Sequence, residues 1–318
     1  MITRILVPLD QSELAERALD VAIDLARQHG ASLRLVHVWL PQLESANVPL
    51  GGRVAGSLDE VRVEAGAYLE RLAADAQARG VVVAETALLA PPAPRAIREE
   101  ARDWKADLIV MSTHGRTGWS RVWLGSVADA VVREADTPVL LVRARGEGEG
   151  KSTSLARILV PIDGSPEGDR IIDALGAVLE PMDARVLLLT VVGRFMLPEL
   201  PTPAGLPVYA TDEEASAATQ RAEQHLDELA ARLRNALPRA TIETSVRLHV
   251  SPARAIVEAA QDADLVAMVP RTHGATRFVL GSVTDKVLRG SDASFLVAPP
   301  PREKSEVSRL DEALLEAE

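Results

Sequence analysis

The sequence contains no cysteine, which excludes a disulfide framework, a thiolate nucleophile and cysteine-ligated zinc and is compatible with a reducing compartment. Aromatic residues make up only 3% of the chain and are not interleaved with a basic patch, and the net charge is -11. Both features argue against general binding of nucleic acid, which needs a basic face and, for single strands, stacking rings. No apolar run approaches the roughly 18 residues of a membrane span. The opening MITRILVPLD runs straight into a strand-like segment without the basic-then-apolar order of a signal peptide, so the expected location is the cytoplasm. The six histidines, at 29, 37, 114, 225, 249 and 273, include no pair at metal-ligand spacing on a helix, and no metal site is expected. Ser12, Ser126 and Ser165 lack the Gly-x-Ser-x-Gly context of a hydrolase nucleophile, so no catalytic residue is assigned. Gly146 to Gly150-Lys151-Ser152 imitates a phosphate-binding P-loop, but only three residues separate the glycines where four are required, and a strand follows where a helix should.

What is present is a repeat. With 318 residues, 47% hydrophobic and 25% charged, the chain has room for two ordinary domains with separate cores. Arg4-Ile5-Leu6-Val7-Pro8-Leu9-Asp10 returns 153 residues later as Arg157-Ile158-Leu159-Val160-Pro161-Ile162-Asp163. Arg95-Ala96-Ile97 returns as Arg254-Ala255-Ile256, Ala106-Asp107-Leu108 as Ala263-Asp264-Leu265, and Leu124-Gly125-Ser126-Val127 as Leu280-Gly281-Ser282-Val283. So long a period is a duplicated domain, since solenoid units span about 20 to 50 residues.

Each copy alternates β-branched runs with amphipathic stretches, which predicts a parallel sheet covered by helices. Strands are expected near 2 to 9, 32 to 38, 81 to 88, 107 to 112 and 137 to 142, then 156 to 162, 184 to 192, 241 to 248, 264 to 269 and 293 to 298. The expected layout is a first domain over 1–145, a polar linker over 146–154, a second domain over 155–300 and an acidic tail over 301–318. In the tail, Leu310, Leu314 and Leu315 are spaced for a narrow apolar helical stripe, and a solvated tail is the expectation in preference to a partner-binding helix. The long connections Leu40 to Leu58 and Gly193 to Thr211 suit a lid, an interface segment or a disordered excursion.

In an open parallel sheet, ligands bind beyond the carboxyl ends of the strands near the switch in strand order. Asp10 stands at such an end. Ser12 can cap the following helix, and Ser165 with Pro166 can do so in the second copy, which leaves the Asp10 carboxylate for a ligand hydroxyl or an amide. A stronger constellation runs from Ser112 at the end of the fourth strand through Gly115 and Arg116 to Gly125-Ser126-Val127 at the start of a helix. Glycines allow backbone amides close to an anion, Ser126 can cap the helix and offer a hydroxyl, and Arg116 and Arg121 can neutralise phosphate oxygens. By spacing alone, a plain surface loop is an equal reading.

The strand Ile5 to Asp10, the run Ile109 to Gly118, Leu124 to Asp129 and Thr137 to Val142 closely resemble the universal stress protein family. The resemblance covers residues 1 to 145 and, more weakly, 155 to 300. It implies two tandem Rossmann-like α/β domains of the adenine nucleotide alpha hydrolase type, each a five-stranded parallel sheet flanked by helices, and binding of ATP, with or without Mg2+. The ATP-binding pattern of the family matches Gly115, nine residues, then Gly125-Ser126, whereas its first glycine falls on Ser112. Carried over, Asp10 meets the ribose or adenine end, the Val38 backbone bonds the adenine, and Ser112, Gly115, Arg116, Gly125, Ser126 and Val127 surround the phosphates. The second copy departs further. Matched through Thr272-His273-Gly274 it has six residues between glycines, and matched through Met268 it puts Thr272 in place of Gly115. Pro270 also removes an amide donor, so the second phosphate cradle is expected to be degenerate. The family further implies that Val139 to Val142 pair with Phe295 to Val297 as an internal pseudo-dimer, with homodimerisation left open.

Three functions compete at this point: a nucleotide-dependent stress or regulatory factor, a slow ATPase, and a nucleotide-free assembly module. A positioned base for the second would have to be His114 or Asp10, and a loop histidine that fixes local turns is an alternative role for His114.

Overall fold

A computed structural model describes residues 1–39, 58–113, 124–143, 155–193, 211–270 and 281–299. The first copy runs β1 (Arg4–Leu9), α1 (Glu13–His29), β2 (Ser32–Val38), α2 (Leu58–Ala78), β3 (Val82–Leu89), α3 (Ala93–Asp103), β4 (Leu108–Ser112), α4 (Ser126–Glu134) and β5 (Val139–Val142). The second runs β6 (Arg157–Pro161), α5 (Pro166–Asp169), α6 (Ile171–Leu179), β7 (Arg185–Gly193), α7 (Asp212–Ala236), β8 (Thr241–His249), α8 (Pro252–Ala259), β9 (Leu265–Met268), α9 (Ser282–Gly290) and β10 (Ser294–Val297). All ten expected strands are present, with ends displaced by up to two residues. β5 begins after Pro138, which lacks the amide a ladder requires.

The ten strands form one sheet in the order β3-β2-β1-β4-β5-β10-β9-β6-β7-β8. Within each copy the pairing is parallel. β5 and β10 meet antiparallel, with Phe295 opposite Leu141, Leu296 opposite Leu140 and Val297 opposite Val139. The strand order switches between β1 and β4 and again between β6 and β9, as expected of a doubly wound sheet.

Both faces of the sheet are covered. Ile5, Val7 and Leu9 join a core beneath α1, α2, α6 and α7, while Leu6, Ile109 and Met111 face α3, α4, α8 and α9. This is why β4 reads as an unbroken apolar run: alternate residues enter different cores, and Leu108 to Met111 are all buried.

The repeated Ala-Asp-Leu has a structural explanation at the amino-terminal ends of the central strands. Asp107 Oδ2 accepts from the Thr3 amide at 2.8 Å and the Arg4 amide at 3.0 Å, and Asp264 Oδ2 accepts from the Arg157 amide at 2.9 Å. These carboxylates turn back to the neighbouring strand, so β4 and β9 start one residue later, at Leu108 and Leu265. Further contacts tie the copies together. His29 Nε2–H donates to Val178 O at 2.8 Å, the Met1 amine lies 3.2 Å from Glu180, and Arg143 donates to the carbonyls of Leu288 and Ser291 near the end of α9. Among the described residues, no helix is long and apolar enough to cross a membrane.

Candidate functional site

The carboxyl ends of β2, β1 and β4 lie side by side, so Val38, Asp10 and Ser112 leave the sheet as neighbours at the first switch point. Gly125, Ser126 and Val127 join them. The Gly125 amide donates to Thr113 O at 2.7 Å, which draws the start of α4 against the end of β4. Gly115, Arg116, Arg121 and His114 lie outside the described residues, as do His273 and the second-copy loop 271–280.

The helix start differs from the sequence expectation. Gly125, with φ -58 and ψ 146, is the N-cap, and Ser126 is already the first helical residue, so Ser126 does not cap α4. A cap must sit outside helical dihedrals, and that condition is met one residue earlier. Because glycine has no side chain, no side-chain hydrogen bond caps this end. Amides at the first turn of α4 therefore face the switch point with the positive end of the helix dipole, a suitable seat for an anionic group.

Asp10 is also more engaged than expected. Its Oδ1 accepts from the Ser12 hydroxyl at 2.6 Å and the Ser12 amide at 3.1 Å, while Ser12 Oγ accepts from the Ala15 amide at 3.2 Å. The carboxylate is thus not left over by the cap but orients it. The second copy repeats the device: Asp163 Oδ1 accepts from the Ser165 hydroxyl at 2.5 Å, and Ser165 Oγ accepts from the Gly168 amide at 3.1 Å. Between acid and cap the copies differ. Gln11 takes φ 65, a left-handed conformation unfavourable to a side chain, where Gly164 takes φ 77.

Val38 contributes backbone geometry. The amide of Trp39 bonds Leu89 O on β3 at 3.1 Å, and alternation along the strand turns the Val38 peptide groups toward β1. Its neighbour His37 is buried, and Nδ1–H donates to Leu9 O at 2.8 Å, joining β2 to the end of β1. Thr190 does the same in the second copy, donating to Ile162 O at 3.1 Å.

Two polar atoms that the sequence reading missed stand out here. Among the described residues, no group meets the buried Trp39 Nε1 or the buried Tyr68 hydroxyl with normal hydrogen-bond geometry, although the Tyr68 hydroxyl faces the Glu16 carboxylate. Tyr68, on α2, meets the His37 ring edge-on at 6.5 Å, with the Arg71 guanidinium 5.4 Å from its own ring. Burial pushes its phenol well above the ordinary range, and the carboxylates of Glu16 and Asp10 push it further, against a smaller opposite effect of Arg71. Tyr68 therefore remains protonated. Aligning the buried positions Leu69, Leu72 and Ala73 with Leu226, Leu229 and Ala230 makes His225 its counterpart, and His225 Nε2 meets Asp169 at 3.0 Å. The one signal available in the sequence was this internal mismatch, an aromatic in one copy against a different residue in the other.

The universal stress protein family model matches residues 1–143 and again 155–299. The chain belongs to the universal stress protein family. A universal stress protein of Thermus aquaticus is 38% identical over 144 residues, covering 45% of this chain and 100% of the relative. One from Methanocaldococcus jannaschii is 32% identical over 140 residues, covering 44% and 81%. In fold, the chain is similar to the crystal structure of a universal stress protein from Archaeoglobus fulgidus, with TM-score 0.65, 18% identity, and coverage of 93% of this chain and 98% of that one. Two universal stress protein domains in tandem account for the duplicated α/β architecture.

Proposed function

We propose that this tandem universal stress protein binds ATP, or another adenine nucleotide, mainly in its first domain and acts as a regulatory or protective factor in a cytoplasmic stress response. The single observation that carries this reading is the seating of α4. Its side-chain-free N-cap, Gly125, is drawn to the end of β4 by the 2.7 Å bond to Thr113, beside the end of β1. Phosphates there would meet the first amides of α4, around Gly125, Ser126 and Val127, with Ser112 at the strand end and Gly115 and Arg116 supplied by the connecting loop. Asp10 and the Val38 backbone would hold the ribose and adenine, and Mg2+ would accompany the phosphates as part of the ligand. No residue is assigned a catalytic role.

The proposed boundaries are a first domain over 1–145, a linker over 146–154, a second domain over 155–300 and a tail over 301–318. The second domain keeps Asp163 and Gly281-Ser282 but has Pro270 at the strand end, where no backbone amide is available. In this reading it serves chiefly as the partner of an internal pseudo-dimer. Denaturing the purified protein and analysing the supernatant by mass spectrometry should release adenine nucleotide at no more than one per chain. Absence of nucleotide, together with no binding of titrated ATP, would sink the proposal in favour of a nucleotide-free assembly module. Steady phosphate release above a Gly125→Asp control would instead favour an ATPase.

A further inference from the structure

We propose that Trp39 is a specificity-determining residue of the first-domain site, its indole N–H reserved for an acceptor atom of the bound nucleoside. This rests on the nucleotide reading above and adds a residue that the reading does not contain. Trp39 is anchored by its own amide to Leu89 O at 3.1 Å, so the indole is carried on a fixed backbone at the carboxyl end of β2. It follows Val38 directly, and by the two-residue repeat of extended chain it falls on the face of β2 that carries His37, the residue bonded to the end of β1.

The indole nitrogen is a donor only, and here it is buried with no acceptor among the described residues in hydrogen-bonding position. Burying such a donor unpaired is unfavourable, and buried polar groups are in general satisfied, so an orphan of this kind marks a place where something else supplies the acceptor. Purine ring nitrogens and ribose oxygens are acceptors of the required type. The second copy supports the assignment by contrast. At the positions of His37, Val38 and Trp39 it carries Thr190, Val191 and Val192, so the inter-strand bond is kept and the indole donor is lost. No uncharged side-chain atom among the described residues of that copy is buried without a partner.

The test uses the full chain and ATP, with 7-deaza, 3-deaza, 2′-deoxy and 3′-deoxy analogues as probes. Trp39→Phe keeps a ring and removes the donor, and should weaken ATP about five- to tenfold, the usual effect of one lost hydrogen bond. Wild type should discriminate against one of the analogues, and Trp39→Phe should lose that discrimination, which a purely packing role would not produce. A second measurement needs no variant to fold. With the 4 tryptophans labelled with 15N, ATP should move one indole N–H resonance downfield. If wild type binds ATP, yet Trp39→Phe binds within twofold or loses affinity equally for every analogue, or no indole resonance moves, the role of Trp39 is refuted and the nucleotide reading stands. If wild type binds no ATP, both fall.

Discussion

The two domains solve the same folding problem and leave different polar groups unsolved. Where the first copy holds Tyr68 against Glu16 without a hydrogen bond of normal geometry, the second places His225 3.0 Å from Asp169. Where the first buries the Trp39 donor with no acceptor among the described residues, the second has the apolar Val192. Where the first forces Gln11 into a left-handed conformation, the second uses Gly164. In each pair the second copy has the more relaxed arrangement and the first retains the cost. Unsatisfied donors and backbone strain concentrate where a fold is shaped for a ligand and not for its own stability. The difference therefore teaches that the scaffold is kept in both halves, whereas the unrelieved polar groups and the strained turn are kept in one, which is the asymmetry the proposed first-domain site requires.

The sharpest way to break this comparison is to place a carboxylate at each helix start in turn. Gly125→Asp should weaken ATP binding about 100-fold or more, by charge repulsion at the phosphates. Gly281→Asp should leave it within about twofold in isothermal titration. Equal losses in both variants would show that the copies are functionally equivalent.

The next effect is on stability and concerns a contact made from one side only. Arg143 follows β5, is pushed toward lower basicity by burial, and serves the carbonyls of Leu288 and Ser291 in the second domain, whereas Pro299 follows β10 at the matching position. Arg143→Met should cost about 1.5 to 3 kcal/mol in urea unfolding, the range for hydrogen bonds to a charged group. Pro299→Ala should stay within about 0.5 kcal/mol. Matching losses would remove the asymmetry of the junction.

A reciprocal swap tests the strained turn. Gln11→Gly should stabilise the chain by roughly 0.5 to 1 kcal/mol, and Gly164→Gln should destabilise it by about 1 to 2 kcal/mol, from the price of a left-handed side chain. Measured thermal midpoints that move the same way in both variants would contradict the strain argument. If Gln11→Gly gains stability while ATP affinity falls, strain and binding are coupled in the first site.

The smallest expected effect is a pH dependence. Burial, the larger influence, holds His29 below its ordinary value of 6.5, against the bond to Val178 O. The unfolded chain then binds the proton more readily, so the stability contributed by neutral His29 is present above about pH 6.5 and declines as the pH falls below it. Met182 occupies the matching position and does not titrate. His29→Gln, which keeps a donor for Val178, should flatten the change in urea midpoint between pH 7.5 and 5.5. An unchanged slope would rule out His29 as its source.

Much of the fold was legible because its signals are local. The unbroken apolar run Leu108 to Met111 announces a strand buried on both faces, and the return of Arg-Ile-Leu-Val-Pro announces the duplication. Of the candidate site, the sequence located the strand ends, while Gly115 and Arg116 lie outside the described residues. Asp10, Val38, Ser112 and Gly125 to Val127 do gather at one switch point. The finer assignments were not legible: Ser126 is spaced like a cap, and only backbone dihedrals show that Gly125 holds that place. Asp10 looked unclaimed until its bond to the Ser12 hydroxyl was visible.

The sequence by itself determined that one α/β domain occurs twice and which segments become strands, since hydrophobic periodicity is written between near neighbours in the chain. Only the tertiary structure decided which polar groups find partners. His225 and Asp169 are separated by 56 residues and meet because α7 packs beside α5, whereas Tyr68 at the equivalent place faces the Glu16 carboxylate without normal hydrogen-bond geometry. Hydrogen bonding demands tenths of an ångström between groups far apart in sequence, and that precision exists only once the layers have packed.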